Sequence, residues 1–106
     1  MVKTYEVKIY IAGNYDAVVN ACSFYCLSGF CVSITKTLFV FTGGMESGVC
    51  VGLINYPRFP SETDTIDAKA KELAKHLIKQ CAQRSCTVVT PTETIYYSNE
   101  AITSTR

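Results

Sequence analysis

The chain has no tryptophan, one histidine and three prolines in 106 residues. Its six cysteines never occur as Cys-x-x-Cys, and the lone His76 lies far in sequence from most of them. The usual zinc spacings are therefore missing, and no metal or cofactor is expected. Charge is scarce as well, at 18% charged residues and a net charge of +1. So small a charge gives no global field to draw in nucleic acid or an anionic membrane. No apolar run approaches the length of a bilayer-spanning helix, so no membrane contact is expected. The amino terminus reads as a strand rather than a signal peptide, which makes the cytoplasm the expected location.

What is present describes a globular domain. A chain of this length builds one core of two packed layers, so residues 1–106 are read as a single domain. Hydrophobic residues make up 48%, an excess expected to be covered by further copies in a homo-oligomer, a trimer or dimer. Cys22, Cys26, Cys50 and Cys81 fall in apolar stretches, where cysteine acts as a small hydrophobe. With neither signal peptide nor metal spacing, the cysteines are expected to be free thiols.

Residues 3–12 alternate, with Tyr5, Val7, Ile9 and Ile11 on one face and Glu6, Lys8 and Tyr10 on the other, as a half-buried strand does. Asn14 is placed to cap a helix in which Val18, Ala21, Cys22, Tyr25 and Cys26 recur at helical spacing, and Ser28-Gly29 stops it. Residues 30–42 read as a second strand that includes Cys31, and Gly48 to Asn55 as a third. Pro57 and Pro60 bar a continuing central strand. Ser61 or Thr63 then caps a helix with Ile66, Ala70, Leu73, Leu77 and Cys81 as its buried stripe. A last strand covers Cys86 to Thr90, Thr94 to Tyr97 pair as an edge or meet a neighbouring subunit, and residues 98–106 are expected to fray. Helices are placed near residues 15–27 and 63–82. The order predicts an α+β fold: a ferredoxin-like βαββαβ sandwich, one antiparallel sheet with both helices on one face.

The stretch FVFTGGMESGVCVGL, residues 39–53, invites a phosphate-loop reading. Gly43 and Gly48 have the Walker spacing, but Val49 and Cys50 follow where a lysine and a hydroxyl are needed, and the next element is a strand. The glycines read instead as a hairpin turn. Gly43 and Gly44 stay candidates for ligand contact, because loops at a sheet rim expose backbone donors.

Phe30-Cys31-Val32-Ser33-Ile34, Leu38-Phe39-Val40-Phe41, Gly43-Gly44 and the strand Val49 to Ile54 occur in an order that resembles the PII-like superfamily, in particular the small CutA-type proteins. The family's tryptophan after the paired aromatics is absent here, and Pro91 to Ile95 only loosely echo its proline-glutamate-isoleucine stretch. The resemblance implies compact trimers whose intersubunit clefts bind nucleotides or other small anions. Separately, Gly52 to Pro60 resemble segments of small uncharacterised phage proteins.

The most site-like cluster is Asn55, Tyr56, Arg58 and Phe59. Arginine offers a planar fork for phosphate or carboxylate, the rings can stack on a base, and Asn55 can read a polar edge. The flanking prolines lower the ordering cost of binding, although such loops also serve as plain lids on a sheet end. Lys71, Lys75 and Lys79 line one helix face, but Asp67 and Glu72 partly neutralise them, so a solvated face is favoured over a nucleic-acid patch. His76 and the cysteines lack a visible catalytic partner, so no catalytic residue is assigned. The expected function is non-enzymatic binding of a small nucleotide-like anion in an intersubunit cleft, which would suit a phage protein acting against host signalling. The alternative is an inhibitor that docks on a host protein through its sheet edge or aromatic loop. A small enzyme using a cysteine or His76 is the third reading.

Overall fold

The computed structural model describes residues 1–58 and 60–98. Phe59 and the expected frayed tail beyond Ser98 lie outside the described residues. The elements run β1 (Glu6–Ala12), α1 (Tyr15–Cys26), β2 (Ser33–Phe41), β3 (Gly44–Ile54), α2 (Thr63–Gln80), β4 (Ser85–Val89) and β5 (Thr94–Ser98). All pairings in the sheet are antiparallel, in the order β2-β3-β1-β4-β5. The ferredoxin-like sandwich is therefore present, with β5 added as a fifth, edge strand beside β4.

The alternation in β1 sorts the chain into layers. Val7, Ile9 and Ile11 are buried, and so are their neighbours Val49, Val51 and Leu53 on β3 and Cys86 and Val88 on β4. These meet Val18, Ala21 and Cys22 of α1 and Ile66, Ala70, Leu73, Ala74, Leu77 and Ile78 of α2. Each fully buried aliphatic side chain of this set stabilises the fold by about 1.5–3 kcal/mol. Two tyrosines tie α2 down from outside this core. Tyr5 donates to Asp67 at 2.7 Å, and Tyr25 donates to Glu72 at 2.6 Å. The adjacent Asp67 carboxylate, together with burial, pushes the Tyr5 phenol up to about 12.

Several sequence expectations are corrected in detail. β1 begins at Glu6, not at residue 3. Asn14 caps α1 as expected, accepting from the Ala17 amide at 3.0 Å. The cap of α2, however, is Glu62, with no side-chain cap bond from Ser61 or Thr63. Cys81 lies just past the end of α2 and is half-buried, and Ala74 and Ile78 complete the stripe in its place. β2 starts only at Ser33, so Cys31 is an exposed residue of the connecting segment and not part of a strand.

The glycine stretch is a hairpin, and a tighter one than its composition suggests. Phe41 pairs with Gly44, which leaves only Thr42-Gly43 as the turn. Gly43 has φ +85°, the left-handed conformation that a type II turn needs at its second central position. Gly44 to Gly48 belong to β3. At Gly48 the small residue serves packing. A Cβ there would stand 2.2 Å from the Phe39 ring and 2.8 Å from the Ile11 carbonyl oxygen. Gly48→Ala is expected to lower stability by about 1–3 kcal/mol, as overpacking does, read as a drop in the urea midpoint at constant slope.

Candidate functional site

Where β3 leaves the sheet, the chain turns at Asn55 and runs through Tyr56 and Pro57 toward α2. Asn55 holds this corner in place. Its amide Nδ2 donates to the Lys3 carbonyl at 2.9 Å, and its Oδ1 accepts from the Ser61 amide at 2.9 Å. Its own backbone N–H donates to the Tyr5 carbonyl at 3.0 Å. One side chain thus ties the amino-terminal segment, the end of β3 and the start of α2 together. The expected polar-edge reader is engaged in positioning the loop. Asn55→Ala leaves two backbone partners unpaired and is expected to cost about 1–3 kcal/mol, seen as a lower midpoint in thermal melting.

Beside this corner opens a cleft of about 320 Å³, lined by Gly29, Phe30, Cys31, Ile54, Tyr56 and Ser61. Its walls come from the segment after α1, the last residue of β3 and the loop before α2. The size lies at the small end of the ligand-site range, and the lining follows the usual pattern of aromatic and aliphatic walls with a few polar groups. Burial, and after it the neighbouring Cys31 thiol, push the Tyr56 phenol above its ordinary value. The phenol therefore stays neutral at physiological pH and offers a ring face and a hydroxyl.

Of the sequence candidates, the structure brings Tyr56 into the cleft and uses Asn55 to hold its rim. Arg58 is exposed two residues further on and makes no ion pair with a described residue. Phe59 lies outside the described residues. Gly43 and Gly44 sit elsewhere, at the other end of β3 from Ile54, roughly 33 Å from the cleft at about 3.3 Å per residue. Phe30, Ile54, Cys31 and Ser61 were not selected as ligand contacts by sequence reasoning. They meet only because the turn after α1 returns to the end of β3, a tertiary juxtaposition with no local signal.

The remaining candidates are engaged in packing. His76 Nε2 lies 3.3 Å from the Ala21 carbonyl, and its ring stacks on Phe24 at 6.3 Å and lies 5.8 Å from the Tyr25 ring. Lys75 covers the Tyr97 ring at 5.7 Å. Among the described residues there is no group of three or more His, Cys, Asp or Glu that could hold a metal ion. No helix among them is long and apolar enough to cross a membrane.

The chain shares its fold with phage SAM lyase. It superposes on the structure described as phage SAM lyase in complex with S-methyl-5'-thioadenosine at a TM-score of 0.71, with 16% identity, over 92% of this chain and 91% of the other. The phage SAM lyase in its apo state aligns at 0.69, with 17% identity, over 89% and 88%. A de novo designed protein with a ferredoxin fold aligns at 0.48, with 16% identity, over 87% and 88%. No protein-family profile and no curated protein matches the sequence. At 16–17% identity these likenesses show the fold. Neither lyase structure is described as PII-like or CutA-type.

Proposed function

We propose that this chain binds S-adenosylmethionine, a sulfonium nucleoside, in the Tyr56 cleft and releases S-methyl-5'-thioadenosine from it as a lyase. The observation that carries the reading is the agreement in fold with two phage SAM lyase structures over about nine-tenths of the chain. The cleft supports it independently, being aromatic-walled and nucleoside-sized. In this reading the Tyr56 or Phe30 ring stacks on adenine, and Arg58 takes the methionyl carboxylate. A second copy completes the cleft, in a dimer or trimer.

The missing acid–base motif fits such chemistry. When the sulfonium's bond to the aminobutyrate carbon breaks, its electron pair stays on sulfur, which leaves as a neutral thioether. The substrate's own carboxylate bonds to that carbon and closes a lactone, so the protein need supply no base. No acid is needed to protonate the thioether. Holding the substrate in a reactive conformation away from water supplies much of the acceleration. A protein of this kind shows a ligand site rather than a catalytic motif in its sequence.

A second reading has the same ligand and no turnover. It needs no catalytic group, and none of the described lining residues carries a carboxylate or an imidazole. In this reading the protein sequesters the nucleoside, as a phage product acting against a host ligand would. Incubation with a tenfold excess of S-adenosylmethionine and chromatography of the products separates the two. Release of S-methyl-5'-thioadenosine beyond one equivalent supports the lyase. Unchanged S-adenosylmethionine held at one equivalent supports sequestration, and observing neither release nor retention rejects the cleft as its site.

A further inference from the structure

We propose that Cys26 and Cys31 form a redox-switched pair: a small-molecule disulfide of the glutathione class joins them in an intrachain bridge, and the bridge closes the Tyr56 cleft. Cys26 is the last residue of α1 and is half-buried, whereas Cys31 is exposed on the cleft wall. The chain between them is coiled tightly. The Gly29 amide donates to the Cys26 carbonyl at 2.9 Å and the Phe30 amide to the same oxygen at 3.4 Å. Cys31 lies one residue past this turn, and residues 30–32 belong to no helix or strand. A disulfide needs Cα atoms about 4.4–6.8 Å apart, and this segment can close onto the helix end without giving up a ladder bond.

The electrostatics place the same groups together. Burial and then the neighbouring Cys31 raise the Cys26 thiol, and both cysteines act on Tyr56. The other four thiols are poorly placed for an oxidant. Cys22 and Cys86 are buried, Cys50 is held within β3, and Cys81 is half-buried behind α2. Accessible Cys31 is therefore the attacking sulfur, and Cys26, half-buried at the helix end, resolves the intermediate.

The exchange balances. The Cys31 thiolate attacks one sulfur of the small disulfide, whose S–S bond breaks and releases one thiolate. The Cys26 thiolate then attacks the Cys31 sulfur, and the second small thiolate leaves. Two protein thiols lose two electrons, the oxidant gains them, and the two cysteine protons end on the released thiols. Because Phe30 lies between the pair and also lines the cleft, the bridge displaces this wall and closes the site to the ligand. That consequence rests on the ligand reading above, whereas the bridge itself does not.

The test equilibrates the full chain in glutathione buffers of increasing oxidised fraction, alkylates free thiols and measures intact mass. A species with two fewer alkyl groups is expected in wild type, Cys22→Ser and Cys81→Ser, and is expected to vanish in Cys26→Ser and Cys31→Ser. Complete alkylation of wild type at every ratio, or a bridge surviving in Cys31→Ser, overturns the pairing. In parallel, S-methyl-5'-thioadenosine is expected to stabilise the reduced protein at least tenfold more tightly than the oxidised one, with Cys26→Ser indifferent to oxidant. A bridge that leaves this stabilisation unchanged overturns the closure. Absence of stabilisation in the reduced protein overturns the ligand reading and closure together, while the mass measurement still decides the pairing.

Discussion

Arg58→Ala is expected to weaken binding of S-adenosylmethionine about tenfold to a hundredfold while leaving S-methyl-5'-thioadenosine almost unaffected. S-adenosylmethionine carries a carboxylate that the thioether product has lost, and Arg58 is an exposed cation in the cleft's own loop with no ion-pair partner among the described residues. A charge-assisted contact is worth about 1.5–3 kcal/mol, and about 1.4 kcal/mol is a factor of ten. Tyr56→Ala should behave differently and weaken both ligands, by about 1–3 kcal/mol if the ring stacks on adenine. Lys75→Ala should change neither, because its ammonium lies over Tyr97. Calorimetric titration of both ligands into the three variants separates these outcomes. An Arg58→Ala protein that binds both ligands as wild type does would remove this loop's charge from the site.

The second large effect concerns assembly. Leu38, Val40, Phe41 and Met45 are 55%, 72%, 56% and 66% exposed, and all lie near the tip of the β2–β3 hairpin. By the register Leu38, Val40 and Met45 share one face of this ribbon and Phe41 lies on the other, and monomeric proteins rarely leave so much apolar surface exposed on one arm. In the oligomeric reading this arm packs against a second copy, each side chain contributing about 1.5–3 kcal/mol on full burial. The double change Val40→Lys, Phe41→Glu places two charges in that contact and is expected to dissociate the assembly. Light scattering at micromolar concentration should then fall to the monomer mass of 11.7 kDa. Wild type already scattering at that mass would reject the oligomer.

The fold was legible because burial here follows simple periods. The alternation Val7, Ile9, Ile11 and the helical recurrence of Ile66, Ala70, Leu73 and Leu77 each mark a single buried face. Boundaries were less legible. Cys31 was read into β2 because Phe30-Cys31-Val32 has strand composition, and composition carries no information about which residues find a hydrogen-bonding neighbour. Likewise, the four residues Gly44 to Ser47 looked like a loop because glycine-rich sequence usually is one, yet pairing with β2 draws them into the sheet. Of the site, Tyr56 was legible from its place beside the prolines. The partners Phe30, Cys31 and Ser61 were not, since they approach Tyr56 through tertiary folding alone.

The most direct measurement is thermal unfolding of the protein across a concentration series of S-methyl-5'-thioadenosine. Binding to the folded state adds RT ln(1 + [L]/Kd), about 2.7 kcal/mol at a hundred times Kd. For a domain of this size that is a rise in Tm of roughly 10 °C or more. The account predicts a Tm that climbs with the logarithm of ligand concentration in wild type and climbs less in Tyr56→Ala. A Tm that stays constant up to millimolar ligand would contradict it.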